Sequence, residues 1–146
     1  MWEESNDDTL NAMYMLNQNT RLPGWADAEG TQKYYNMSQY GEVSNLDVHH
    51  ENFKSPLHRS DLKLSSLGIG TYVGEPDDVT DFKMYNAIKQ SVLSGGVNHI
   101  DTAPNYRYMK SEKTVGKALT TLHNKYSITR NMLFLSSKAG YVPENA

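Results

Sequence analysis

The stretch Val97-Asn98-His99-Ile100-Asp101-Thr102-Ala103-Pro104-Asn105-Tyr106 decides how this chain is read. A short apolar run closes on an aspartate, a Pro-Asn pair turns the chain, and a tyrosine follows five positions after the aspartate. Upstream, Leu67-Gly68-Ile69-Gly70-Thr71-Tyr72 has the character of a strand, and so does Met132-Leu133-Phe134-Leu135-Ser136-Ser137-Lys138 downstream. Three strands that each end in polar or ionisable residues would let one parallel sheet gather an acid, a phenol and an amine at one edge.

The segments between these strands read as helices. Pro76-Asp77-Asp78 marks a turn and offers an N-cap, and Phe82, Tyr85, Ile88 and Val92 then step at helical spacing. Gly95-Gly96 ends that helix. Ser111 is the expected cap of a second helix, with Val115, Ala118, Leu119 and Leu122 on its inner face. Before the first strand, Asp61 to Ser65 alternates like a short strand, and the next is expected over residues 66–73. The order is β-α-β-α-β, which implies parallel strands with right-handed crossovers.

Two parallel architectures compete, a doubly wound sheet and a (β/α)8 barrel. A dinucleotide at the first strand-turn of a doubly wound sheet needs Gly-x-Gly-x-x-Gly running into a helix. Gly68 and Gly70 supply the first two glycines, but Val73 takes the third position and no helix starts there. That spacing favours the barrel, where chemistry gathers at the C-terminal ends of the strands. Gly70, Asp101, Tyr106 and Lys138 would lie there.

Composition sets the outer bounds. The chain has 146 residues, no cysteine and ten tyrosines, with a net charge of -3. Disulfide scaffolds, thiol chemistry and Cys-based zinc sites are excluded. The charge balance argues against a nucleic-acid partner, and no apolar run approaches the roughly 20 residues of a membrane span. The acidic opening Met1 to Asp8 resembles neither a secretory signal nor a transit peptide. A soluble protein of a reducing compartment, cytoplasm or organelle interior, is expected.

Charge is unevenly spread. Residues 1–60 carry nine acidic against four basic side chains, and residues 61–146 carry eight against ten. Residues 1–60 are read as an acidic, largely irregular arm, ordered where it packs on something else. Leu10, Met13 and Leu16 could face one side of a short helix broken by Pro23-Gly24. His49-His50 point to opposite sides of an extended chain, so no metal site is expected from them.

Carbonyl reduction needs a proton for the developing alkoxide. A phenol can give it when an ammonium stands beside it to stabilise phenolate, and a buried ammonium needs a carboxylate partner. Each residue also has a plainer reading. Asp101 could cap a turn, Tyr106 could pack its ring, Lys138 could be a solvated strand end, and His99 could be hydrogen-bonded in the core. Their joint placement on successive strand ends is what points to chemistry.

These segments resemble the aldo-keto reductase family. Leu67 to Tyr72 is similar to its first barrel strand. Ile100-Asp101-Thr102-Ala103, Tyr106 and Ser111 to Leu119 are similar to its signature after the second strand, and Ser136-Ser137-Lys138-Ala139-Gly140 to its third-strand segment. Ala28-Glu29-Gly30-Thr31 with Asn52-Phe53 resembles, more loosely, the leader of one bacterial and plastid-like branch.

The resemblance implies the N-terminal β-α-β-α-β part of a (β/α)8 TIM barrel over residues 61–146. It implies NADPH-dependent reduction of a small aldehyde or ketone, with Tyr106 as proton donor, Lys138 as the ammonium beside it and Asp101 as the lysine's partner. Gly70, Thr71 and Tyr72, with Asp101, would line the nicotinamide end of the cofactor site. A further catalytic histidine would belong at the end of a fourth strand, beyond Lys138, and His123 on the second helix cannot replace it. A three-strand parallel sheet leaves apolar faces and open edges. The expectation is therefore a piece of a longer reductase, or a chain completed by another polypeptide. The competing expectation is a non-catalytic structural subunit of a larger assembly.

Overall fold

A computed structural model describes residues 22–39, 53–54 and 61–141. The expected helix around Leu10 to Leu16, the His49-His50 pair and Asn52 lie outside these residues. Helix α1 spans Ala28–Gln39, and two-residue strands β1 (Phe53–Lys54) and β2 (Leu64–Ser65) pair antiparallel. Then follow β3 (Gly68–Gly70), α2 (Asp78–Leu93), β4 (His99–Asp101), α3 (Lys110–Tyr126), a 3-10 turn (Arg130–Met132) and β5 (Phe134–Ser136). The three later strands form a parallel sheet in the order β3-β4-β5.

Register sorts the side chains into two faces. Ile69, Ile100 and Leu135 stand side by side across the sheet and pack against the helices. Ile100 is fully buried, as are Ile88 and Val92 of α2 and Leu122 of α3. Because side chains alternate along a strand, two rows lie on the opposite face. One is Gly68, His99 and Phe134; the other is Gly70, Asp101 and Ser136. The second row is the C-terminal one.

The inner stripe of α3 is the expected one: Val115, Ala118, Leu119 and Leu122 are all buried. On α2 the stripe is displaced. Tyr85, Ile88 and Val92 are buried, but Phe82 is 44% exposed. The row that faces inward begins at Asp81, four residues before Tyr85, and Asp81 receives the buried Arg107 guanidinium. An ion pair thus occupies the place the sequence reading gave to Phe82. Tyr85 Oη and Thr121 Oγ1, 3.0 Å apart, tie α2 to α3.

The cap of α2 is where the sequence places it. Asp77 is extended and its carboxylate accepts the Thr80 N–H at 2.7 Å. The cap of α3 is not Ser111. The helix starts at Lys110 after Met109, which has φ 67°, and Ser111 already sits inside the first turn. Its hydroxyl donates to the Thr71 carbonyl at 2.6 Å, so it fastens the helix to the end of β3. The strands are also shorter than expected, because ladder pairing covers only three residues of each. Of residues 61–65 only Leu64–Ser65 pair, and Met132 falls in the 3-10 turn.

Residues 28–39 lie in the stretch expected to be irregular, yet they form α1. Asp27 starts it by accepting the Gly30 N–H at 2.6 Å, an N-cap arrangement. Tyr34 then anchors it. Its ring is fully buried, and its hydroxyl lies 2.6 Å from the Val92 carbonyl and 2.9 Å from that of Val97. Val92 belongs to the last turn of α2, and its carbonyl also accepts the Gly95 N–H at 3.0 Å. Burial pushes the Tyr34 phenol well above the usual tyrosine range.

The N-terminal ends of the parallel strands meet at Asn98, which is fully buried. Its side-chain oxygen accepts the Ser65 N–H at 2.8 Å, and its amide donates to the carbonyls of Lys63 at 2.8 Å and Met132 at 3.4 Å. One amide therefore joins β2, β4 and the approach to β5. This end is closed by structure, which leaves the opposite end for chemistry. Among the described residues no helix is long and apolar enough to cross a membrane.

Candidate active site

Asp101 is the last residue of the central strand, and its two carboxylate oxygens serve two neighbours. Oδ2 accepts from Lys138 Nζ at 2.7 Å, and Oδ1 accepts from Ser136 Oγ at 2.7 Å. These bonds, that of Lys138 first, hold the Asp101 carboxyl below the usual carboxylate range. Lys138 also donates to the Thr102 carbonyl at 3.1 Å. Asp101, and after it Tyr106, hold the Lys138 ammonium above the usual lysine range.

Tyr106 completes the group. Lys138 Nζ stands 4.8 Å from the centroid of its ring, and the Tyr72 ring meets it edge-on at 5.0 Å. The three residues expected to carry chemistry are thus together at one end of the sheet. A cleft of about 320 Å³ opens beside them, lined by Pro104, Asn105, Tyr106, Lys138, Ala139, Gly140 and Tyr141.

The residues expected at the cofactor's nicotinamide end divide into two kinds. Gly70 is exposed, with open space where a Cβ would stand, and Tyr72 is 67% exposed. Thr71 is fully buried between them. Its N–H and hydroxyl both donate to the Asp101 carbonyl, at 3.1 and 3.0 Å. Thr71 therefore fixes the backbone of Asp101 from below while Gly70 and Tyr72 face outward. His123 lies exposed on α3, away from this end.

The loop that presents Tyr106 has an unusual backbone. Arg107, Tyr108 and Met109 follow one another with φ of 53°, 54° and 67°. Left-handed residues with side chains cost of order 1–3 kcal/mol each and persist where surroundings over-determine them. Here the determinant is Arg107, buried to 1% side-chain exposure. Its Nε donates to the Glu75 carbonyl at 3.0 Å, its Nη2 to the Asp77 carbonyl at 3.4 Å, and the guanidinium pairs with the Asp81 carboxylate. Lys110 adds contacts to Asp78 and Asp81 at 3.1 and 3.4 Å.

Sequence reasoning missed two contributors. Arg107 carried no periodic or motif signal, because its role depends on a backbone conformation. Ser136 was visible as a polar strand end, and its register with Asp101 is what gives it meaning.

Residues 66–146 match the Aldo/keto reductase family. The chain is also similar to the NADH-specific methylglyoxal reductase of Escherichia coli (strain K12), with 35% identity over 96 residues. That alignment takes in 62% of this chain and 27% of the bacterial enzyme, so the chain spans about a quarter of the curated relative it matches. No solved structure gives a match.

Proposed function

The chain belongs to the aldo/keto reductase family, and from that premise we propose that it supplies the proton-donating side of a nicotinamide-dependent carbonyl reductase. The observation that carries this reading is the Asp101–Lys138–Tyr106 group at the C-terminal end of the parallel strands. Residues 61–146 are read as the first part of a (β/α)8 barrel, and residues 1–60 as a preceding acidic arm. Further polypeptide, in the same chain or another, would cover the outer edges of β3 and β5.

In this reading a small aldehyde or ketone enters the cleft with its oxygen toward the Tyr106 hydroxyl. A nicotinamide held there would supply the hydride for the carbonyl carbon. As negative charge develops on the carbonyl oxygen, the Tyr106 phenol gives it a proton and becomes phenolate. The Lys138 ammonium, beside the ring, compensates that new charge. Asp101 keeps the ammonium charged and directed, and Ser136 and Thr71 keep Asp101 in place.

In this reading the nicotinamide ring lies at the end of β3. Gly70 has open space where a Cβ would stand, and Tyr72 is exposed while its ring meets Tyr106 edge-on. Gly70, Tyr72 and Asp101 would hold that end, with Thr71 supporting from beneath. The named relative is NADH-specific, whereas the sequence resemblance points to NADPH, so both belong in the test.

The test is dinucleotide binding to the purified chain, followed by fluorescence, with NADH and NADPH side by side. Saturable binding that weakens when Gly70 is replaced by Val supports the reading. A folded chain that binds neither dinucleotide excludes an autonomous reductase and favours a structural subunit.

A further inference from the structure

We propose that Ser136 and His99 are positioning residues for the Asp101–Lys138 pair, joined to it in one directional hydrogen-bond chain across the sheet. Its bearing on turnover rests on the reductase reading, but its geometry does not.

Direction follows from proton count. An ionised carboxylate only accepts, and a serine hydroxyl has one proton. Ser136 Oγ lies 2.7 Å from Asp101 Oδ1, so that proton is given to Asp101. His99 Nε2 lies 3.4 Å from the same Oγ. The hydroxyl has no second proton for it, so Nε2 carries the hydrogen and Ser136 accepts. The order is His99 to Ser136 to Asp101, with Lys138 donating to the other carboxylate oxygen at 2.7 Å.

The surroundings hold this arrangement. His99, Asp101 and Ser136 all lie on the sheet face opposite the helices. The His99 ring packs edge-on against Phe134, with centroids 5.1 Å apart. On its other side is Gly68, where a Cβ would come within 3.2 Å of Nδ1. A side chain at Gly68 would crowd the imidazole from the β3 side. The groups facing the Asp101 carboxyl are Lys138 from beyond β5, Ser136 from β5 and His99 from its own strand, and each favours its ionised form. From β3, Thr71 meets only the Asp101 backbone carbonyl.

A serine at this register point leaves the carboxylate one rotamer that satisfies both oxygens. Without it, Asp101 Oδ1 turns to water and the direction in which Lys138 is held loosens.

The experiment is a carboxyl-carbon NMR titration of Asp101 in the full chain. Ser136→Ala should move the Asp101 titration upward, because a bond to the charged form is lost, and Ser136→Thr should restore it. His99→Leu should move it upward by less. With Ser136→Ala already present, His99→Leu should add nothing, since the chain passes through the hydroxyl.

An unmoved titration in Ser136→Ala overturns the proposal, and so does an equal effect of His99→Leu in both backgrounds. If Ser136→Ala fails to fold, His99→Gln replaces it: its amide can still donate, so it should retain the parent titration where His99→Leu does not. This readout needs no turnover. A chain that shows these movements but reduces no carbonyl would sink the reductase reading alone.

Discussion

Lys138 Nζ lies 4.8 Å from the centroid of the Tyr106 ring while remaining 2.7 Å from Asp101 Oδ2. The ammonium is therefore shared between a permanent negative charge and a phenol. An ammonium placed this way stabilises a phenolate left by proton donation, and the carboxylate keeps it from drifting into solvent.

Replacing Lys138 with Met should raise the Asp101 titration and remove most carbonyl reduction. A loss on the order of 10²–10⁴ in kcat is expected for a general-acid device of this kind. Lys138→Arg should recover little, because a planar fork cannot reproduce a point charge beside the ring. Steady-state kinetics with a small aldehyde checks both.

Arg107 holds the Tyr106 loop in its left-handed path. Arg107→Met leaves the Asp81 carboxylate, 18% exposed, without its main partner. Breaking such a buried pair costs about 3–5 kcal/mol. Asp81→Asn in the same background should recover part of that loss. Denaturant unfolding of the two single variants and the double variant gives the coupling.

Helix α1 reaches the 3-10 turn closely enough that a Cβ on Gly30 would run into the Asn131 backbone. Gly30→Ala should therefore destabilise the chain by roughly 1–3 kcal/mol through overpacking, despite alanine's higher helix propensity. Tyr34→Phe should cost less, about 1 kcal/mol, by leaving the Val92 and Val97 carbonyls without their phenol. Thermal unfolding ranks the two.

Acid should weaken the fold in a defined direction. Asp101 and the Asp77 cap both have lowered carboxyl pKa values, from their Lys138 and Thr80 hydrogen bonds respectively. Their contribution is fully present above the ordinary carboxylate value, about 4, and is lost as pH falls through the lowered ones. An Asp77→Asn, Asp101→Asn variant should show a flatter decline of melting temperature below about pH 4 than the parent chain.

The sequence made the helices and strand centres legible where local pattern equals final environment. Val115, Ala118, Leu119 and Leu122 repeat at helical spacing and are buried. Asp77 stood before Thr80 as a cap does. The acid, phenol and amine were also legible, because strand order alone brings their positions to one edge. Helix α1 was not, since its ordering depends on Tyr34 reaching carbonyls some sixty residues away. Phe82 was misplaced because Arg107, from another loop, claims the inward position for Asp81. Ser136 acquired its role only through register with Asp101.

The most direct test of the central claim is aldehyde-dependent oxidation of a reduced nicotinamide dinucleotide by the completed barrel that carries these residues, taken as the parent, and by its Tyr106→Phe variant, with dinucleotide binding measured on both. The account predicts turnover by the parent, loss of turnover in Tyr106→Phe, and nearly equal dinucleotide affinity. Equal turnover in the two proteins would contradict it.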